Sequence, residues 1–260
     1  TMGQTLGGLA NQLEETVGTV PVLGSAIAAG RKRANSQFNL AARDRALNPI
    51  GETSDIGAIG DAGIYAVKDK LSIAYDNILK KVMLTPDGQL MDDIADVVSE
   101  AKKNIGPDAS SSLDRIIENQ VIPHIDAPIM GEKFKEVTSA LGGYGRNFGK
   151  SPDPDHRIVG NAVSKVRKAF KNALARTNPN HASRLDSIDE GFANYARLRA
   201  TQKAVKSGED PTPSQLATGV RSEDKSVGQG ASATGTALMQ DLSSAGMRVL
   251  GDKVRSSGTM

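Results

Sequence analysis

Between residues 151 and 198 apolar and polar positions alternate with a period close to 3.6, and one interruption divides the run in two. Ser151, Asp153 and Asp155 offer capping side chains beside Pro152 and Pro154, which suits a helix entry and first turn. Val159, Val163, Val166, Phe170 and Leu174 then recur at steps of three and four on one face, with Arg157, Lys165, Lys168 and Lys171 on the other. Asn178, Pro179 and Asn180 break the pattern. A second series follows at Leu185, Ile188, Phe192 and Tyr195. So short a break predicts helices over about 153–177 and 181–206 lying antiparallel, each covering the other's apolar stripe.

The same periodicity predicts helices elsewhere. A short pattern runs through Leu6, Leu9 and Leu13, and a long helix is predicted over 24–47, with Ile27, Phe38 and Ala41 or Ala42 inward and Arg31, Lys32 and Arg33 forming a basic turn. From 57 to 82, Ile64, Val67, Leu71, Ala74, Ile78 and Val82 approach the spacing of a coiled-coil seam, for self-association or for packing inside the chain. Shorter helices are predicted over 88–103, 110–122 and 131–141, the last decaying into the glycine-rich stretch GGYGRNFGKS, read as a hinge. Beyond the hairpin come a short helix over 214–220 capped by Thr212, a mobile Gly/Ser segment over 226–236, a last helix over 236–250 and a frayed end over 256–260. No strand pattern exceeds a few residues. The predicted class is all-α: an elongated multi-helix assembly of antiparallel helical hairpins with coiled-coil-like packing. The predicted regions are a helical one over 1–150 and a second over 151–260 holding the hairpin, the short helices and the mobile segment.

Composition narrows the chemistry more than the fold. With 260 residues the chain can bury a core, yet aromatic residues make up 3% and Trp is absent, which favours thin helical layers joined by small-residue contacts. A net charge of +2 gives no global pull toward nucleic acid or anionic membrane, so local patches would have to supply one. Without cysteine there are no disulfides and no thiolate chemistry. No run reaches the roughly 20 apolar residues of a spanning helix. Residues 20–29 do not read as a signal peptide, because Arg31, Lys32 and Arg33 follow the apolar stretch instead of preceding it.

Candidate chemical motifs each meet a plainer account. Gly149, Lys150 and Ser151 resemble the end of a phosphate-binding loop, but Tyr144 stands where that loop needs glycine. His124, His156 and His181 share no helical metal spacing, and read as solvated or capping side chains. Asp92 with Asp93, and Asp189 with Glu190, read as solvated faces, and no serine occupies a nucleophile elbow. No catalytic, cofactor or metal residue is expected. Two features remain: the seam, and a basic patch of Arg157, Lys165, Lys168 and Lys171 with Arg31, Lys32 and Arg33. Such a patch would contact phosphates without regard to sequence, and its plainer reading is a helix kept soluble by lysines.

The segments SPDPDHRIVGNAV and LARTNPNHASRLDSIDEGFANYARL resemble the C-terminal region of tailed-phage and prophage internal virion proteins, also termed DNA-ejection or DNA-transfer proteins. VPVLGSAIAAGRKRANSQFNLAARDRALNPIG, PTPSQLATGVRSEDKS and LMQDLSSAGMRVLGDKVRSSGT are similar to the same group. The resemblance implies a non-enzymatic structural component, held in the particle interior or tail and transferred to the host envelope on infection. There it would assemble with copies of itself and with other virion and ejection proteins into a conduit for the genome, touching phage DNA non-specifically. It also implies a long upstream chain, in keeping with an opening on Thr1 ahead of Met2. The alternatives are part of a virion-associated peptidoglycan-degrading enzyme, or a non-specific DNA-binding and packing module.

Overall fold

The computed structural model describes residues 21–205, 208–224 and 230–251. Among the described residues the chain is all-α, with nine α-helices and one short two-stranded ribbon. In order, α1 spans Pro21–Leu47, α2 Gly60–Leu79, α3 Gly88–Lys102, α4 Pro107–Gln120 and α5 Gly131–Gly149. After them come α6 over Pro154–Thr177, α7 over Pro179–Thr201, α8 over Pro213–Glu223 and α9 over Gln240–Leu250. The ribbon pairs β1 (Met83–Leu84) with β2 (Ile129–Met130) antiparallel. The pattern expected over 5–17 and the fraying expected over 256–260 lie outside the described residues.

The chain divides into a two-segment unit, Thr1–Leu71 with Asp189–Met260, and a central unit, Ser72–Ile188. The boundary expected at residue 150 therefore falls inside the central unit, between α5 and α6, which pack along their lengths. The same boundary divides the helix expected to pair with α6. Only Asn178 separates α6 from α7, and α7 shares its residues between the units, 179–188 with α6 and 189–201 with the other.

The helix before α6 is an antiparallel neighbour of it. Gly145 of α5 lies beside Ser164 and Gly160 of α6, and Gly149 beside Gly160, so residue numbers fall on one helix as they rise on the other. These glycines are the reason the predicted hinge is helical. Each costs about 1 kcal/mol of helix propensity relative to alanine, but a Cβ on Gly160 would sit 2.8 Å from Gly149 Cα and 2.9 Å from Gly145 O. Close backbone approach replaces the missing propensity, and α5 continues to Gly149 where the pattern alone ends near Leu141. Asp153 caps α6 as expected, accepting the Asp155 N–H at 2.9 Å, with Pro154 in the first turn. The inward series is buried as its spacing requires, from Val159 through Phe170 to Leu174. Asp87 caps α3 and also accepts two hydrogen bonds from Arg176 at 2.8 and 2.7 Å, tying the start of α3 to the end of α6. Asn178 serves β1 in place of a neighbouring strand: its Nδ2 donates to Met83 O at 2.9 Å and its Oδ1 accepts Met83 N–H at 3.3 Å.

The two-segment unit is built differently. Phe38 of α1 packs against Gly246 of α9, where a Cβ would lie 2.5 Å from the ring. Gly219 of α8 lies against the backbone of Arg197 in α7. Thr212 caps α8 with a full capping box, its hydroxyl accepting Gln215 N–H at 3.3 Å while Gln215 Oε1 accepts Thr212 N–H at 2.8 Å. Polar groups reach deep here: Asn39, Arg43, Asn194, Arg197, Thr201 and Ser243 are all buried. Residues 230–235, part of the expected mobile segment, form consecutive turns.

Candidate nucleic-acid interface

The basic patch read from sequence separates into parts. Arg31, Lys32 and Arg33 are exposed on α1 of the two-segment unit, whereas Arg157, Lys165, Lys168 and Lys171 belong to α6 of the central unit. The seven are therefore not one surface of a single unit. Within α6 the four also differ. Arg157 turns back on the α5–α6 connection, donating to Ser151 O at 3.1 Å and Pro152 O at 2.7 Å, so it clamps the loop. Lys165 and Lys168 point to solvent and form no ion pair among the described residues, and Lys171 is half-buried.

Two cations outside that predicted patch complete the surface. Arg146, near the end of α5, and Arg167, at the edge of α6's exposed arc, both approach Gly142. A Cβ built on Gly142 would lie 3.4 Å from Arg146 Nη1 and 3.3 Å from Arg167 Nε. No acidic residue occurs from Val137 to Lys150 or from Arg157 to Leu185. Reading the end of α5 as a hinge removed the helix that carries Arg146, and the signal that could have recovered it is this acid-free stretch itself.

The seam is mostly spent inside the chain. Ile64, Val67, Leu71, Ile78 and Val82 are buried, Ala74 is half-buried, and Val82 lies past the end of α2. These side chains are not available to another copy unless the fold opens. The apolar groups that do face solvent are others, including Ile56, Ile59 and Tyr65 in the two-segment unit and Met83, Ile122 and Met130 in the central one.

The remaining sequence motifs resolve into local structure. Gly149, Lys150 and Ser151 close a helix, with Ser151 N–H bonded back to Phe148 O at 3.0 Å, whereas a phosphate loop opens one. His156 stands 3.4 Å from Ser151 Oγ and 3.7 Å from Asp153 Oδ2, with its ring edge-on to Phe148. Hydroxyl and carboxylate meet the same nitrogen, Nδ1, so the imidazole cannot pass a proton between them in the manner of a triad. Burial and the nearby Lys133 cation lower the pKa of His124. No group of three or more His, Asp or Glu side chains suited to a metal occurs among the described residues. A cleft of about 450 Å³ between α8 and α9 is lined by Val220, Arg221, Gln240, Ser243 and Met247 without converging charges.

Buried charge is concentrated in the two-segment unit. The Arg43 guanidinium lies 3.6 Å from Asp210 Oδ1, with side-chain exposures of 4% and 10%. Asp210 also accepts Gly60 N–H at 2.7 Å. Burial lowers the pKa of Arg43, and the carboxylates of Asp210, Asp44 and Asp55 oppose that shift. Burial acts on Arg197 in the same way, opposed by Glu223 and Asp224. Nε of each arginine lacks a hydrogen-bond partner. In the central unit Asp87 has its pKa lowered to about 2 by the hydrogen bonds from Arg176 and the Leu90 N–H. Compared with protein-family models, curated proteins and solved structures, the chain matches none.

Proposed function

We propose that this chain is a structural component of a tailed-phage virion, part of a DNA-ejection protein that assembles into a conduit for the genome. The segments quoted above carry the link to that group. The structural observation that supports an assembling role is the apolar surface left uncovered on a fold whose core is otherwise closed. Ile56 is 84% exposed, with Ile59 and Tyr65 following within ten residues, while the seam on α2 is buried. These exposed aliphatic and aromatic side chains offer apolar area that contact with another copy would cover. Copies of the chain would meet there and not along Ile64, Val67 and Leu71.

Static light scattering on the purified chain tests this reading. Mass should rise with concentration, and Ile56→Asp with Ile59→Asp should return it toward the monomer without loss of helical circular dichroism. A strict monomer at the highest soluble concentration would end the assembly reading for this segment. The acid-free stretches that carry Arg146 and Arg167 also favour contact with nucleic acid, as a conduit lining or as a DNA-packing module.

A further inference from the structure

We infer that Arg146 and Arg167 form a phosphate clamp for the backbone of a nucleic acid, seated over Gly142 on the α5–α6 pair. The two guanidinium groups come from different helices of the same glycine-tight pair. Each approaches the position a Gly142 side chain would take, at 3.4 Å for Arg146 Nη1 and 3.3 Å for Arg167 Nε, so they lie no more than about 7 Å apart. One phosphate spans that gap with a hydrogen bond to each side.

Like charges brought this close repel unless an anion lies between them. Neither arginine forms an ion pair with a carboxylate among the described residues, and Arg167 Nε is buried without any partner. The planar guanidinium fork matches the oxygens of a phosphate better than an ammonium does. Gly142 lets both groups come close; a side chain there would press on them.

The surroundings select a polymer over a single small anion. Lys168 and Lys165 continue round the exposed arc of α6, and no Asp or Glu interrupts either helix from Val137 to Lys150 or from Arg157 to Leu185. A row of cations beyond the clamp would engage repeated phosphates, which a single small anion does not offer. The apolar face of α6 is buried, with Val163, Val166 and Phe170 fully covered. The helix therefore has nothing to insert into a bilayer, which favours nucleic acid over lipid.

The clamp names the contact that the proposed conduit would make with its cargo, and in that sense rests on that reading. The test is fluorescence anisotropy of a short labelled DNA duplex of mixed sequence, titrated with the full chain at several salt concentrations. The wild-type chain should bind with an affinity that falls as salt rises. The double substitution Arg146→Gln with Arg167→Gln should weaken binding at least tenfold at low salt, and should make the slope of log affinity against log salt shallower by about two. Arg167→Lys should recover only part of the loss, because charge returns without the fork. Should the double variant lose its cooperative melting, Arg146→Gln alone, on an exposed side chain, is expected to shift the slope by about one. An unchanged slope in a folded variant overturns the clamp. So does a wild-type chain that binds anionic phospholipid vesicles but not the duplex. Light scattering on the same variants keeps the two readings apart, since a lost clamp leaves self-association unchanged.

Discussion

The two units of this chain reach a closed core by opposite routes. In the central unit the buried side chains are nearly all hydrocarbon, Thr138 being the polar exception, while glycine-tight contacts occur in both units. In the two-segment unit Arg43, Arg197, Asn39 and Asn194 are buried, and hydrogen bonds join segments far apart in sequence: Asn39 to Pro211 O at 2.8 Å, Asn194 to Arg45 O at 3.2 Å, Gln202 to Asp61 at 2.9 Å. Hydrocarbon packing is non-directional, whereas a buried charge holds only while every partner is in place. The central unit should therefore be the tighter part and the two-segment unit the more specific and more easily opened one.

The largest expected effect comes from breaking the buried pair. Arg43→Ala leaves Asp210 without its cation and should cost about 3–5 kcal/mol of stability in the two-segment unit. Replacing both members, Arg43→Met with Asp210→Asn, keeps an acceptor for Gly60 N–H and should cost far less. Urea unfolding with hydrogen exchange resolved by segment checks both, and equal losses would remove the argument that the pair is held by mutual need.

Next in size is the glycine contact. Gly160→Ala places a Cβ against Gly149 backbone, which cannot rotate away, and should cost about 1–3 kcal/mol in the central unit. Gly145→Ala meets the Ser164 hydroxyl, which can turn aside, and should cost less. If the order of the two melting temperatures is reversed, helix proximity is not what fixes this pair.

Smaller effects come from the caps. Asp87→Ala and Thr212→Ala should each cost about 1 kcal/mol, in the central and two-segment units respectively. Asp87 adds a pH dependence of known sign. Its folded pKa of about 2 lies below the ordinary carboxylate value, so its contribution is complete above about pH 4 and is lost as the pH falls through about 2. Asp87→Asn should flatten the stability of the central unit over that window, and an unchanged acid limb would assign the dependence to other carboxylates.

What the sequence made legible follows the same division. α6 announces itself through Asp153, Pro154 and the valine series because helix propensity, capping and apolar period agree over Pro154–Thr177. The end of α5 was unreadable because its glycines disfavour a helix, and the residue whose close approach outweighs that preference, Gly160, lies beyond the next loop. Arg43 and Asn194 look like surface residues in a linear pattern, since nothing local reveals that Asp210 or the Arg45 carbonyl will meet them. In the basic row, periodicity placed Lys165 and Lys168 correctly in solvent but could not show that Arg157 is occupied by loop carbonyls. It omitted Arg167 because that side chain sits at the edge of the arc. For the seam, spacing established that Ile64, Val67 and Leu71 would be covered, and was silent on whether by this chain or by another.

The joint at Asn178 has a chemical consequence. Asparagine ages when the backbone nitrogen of the following residue attacks its side-chain amide and closes a cyclic imide, and that route needs a nitrogen bearing a proton. Pro179 has none to give. The amide that stops α6 and borders β1 is thus shielded from this form of decay by the same residue that starts the next helix, and the joint should outlast asparagines with other neighbours in a protein kept for long periods.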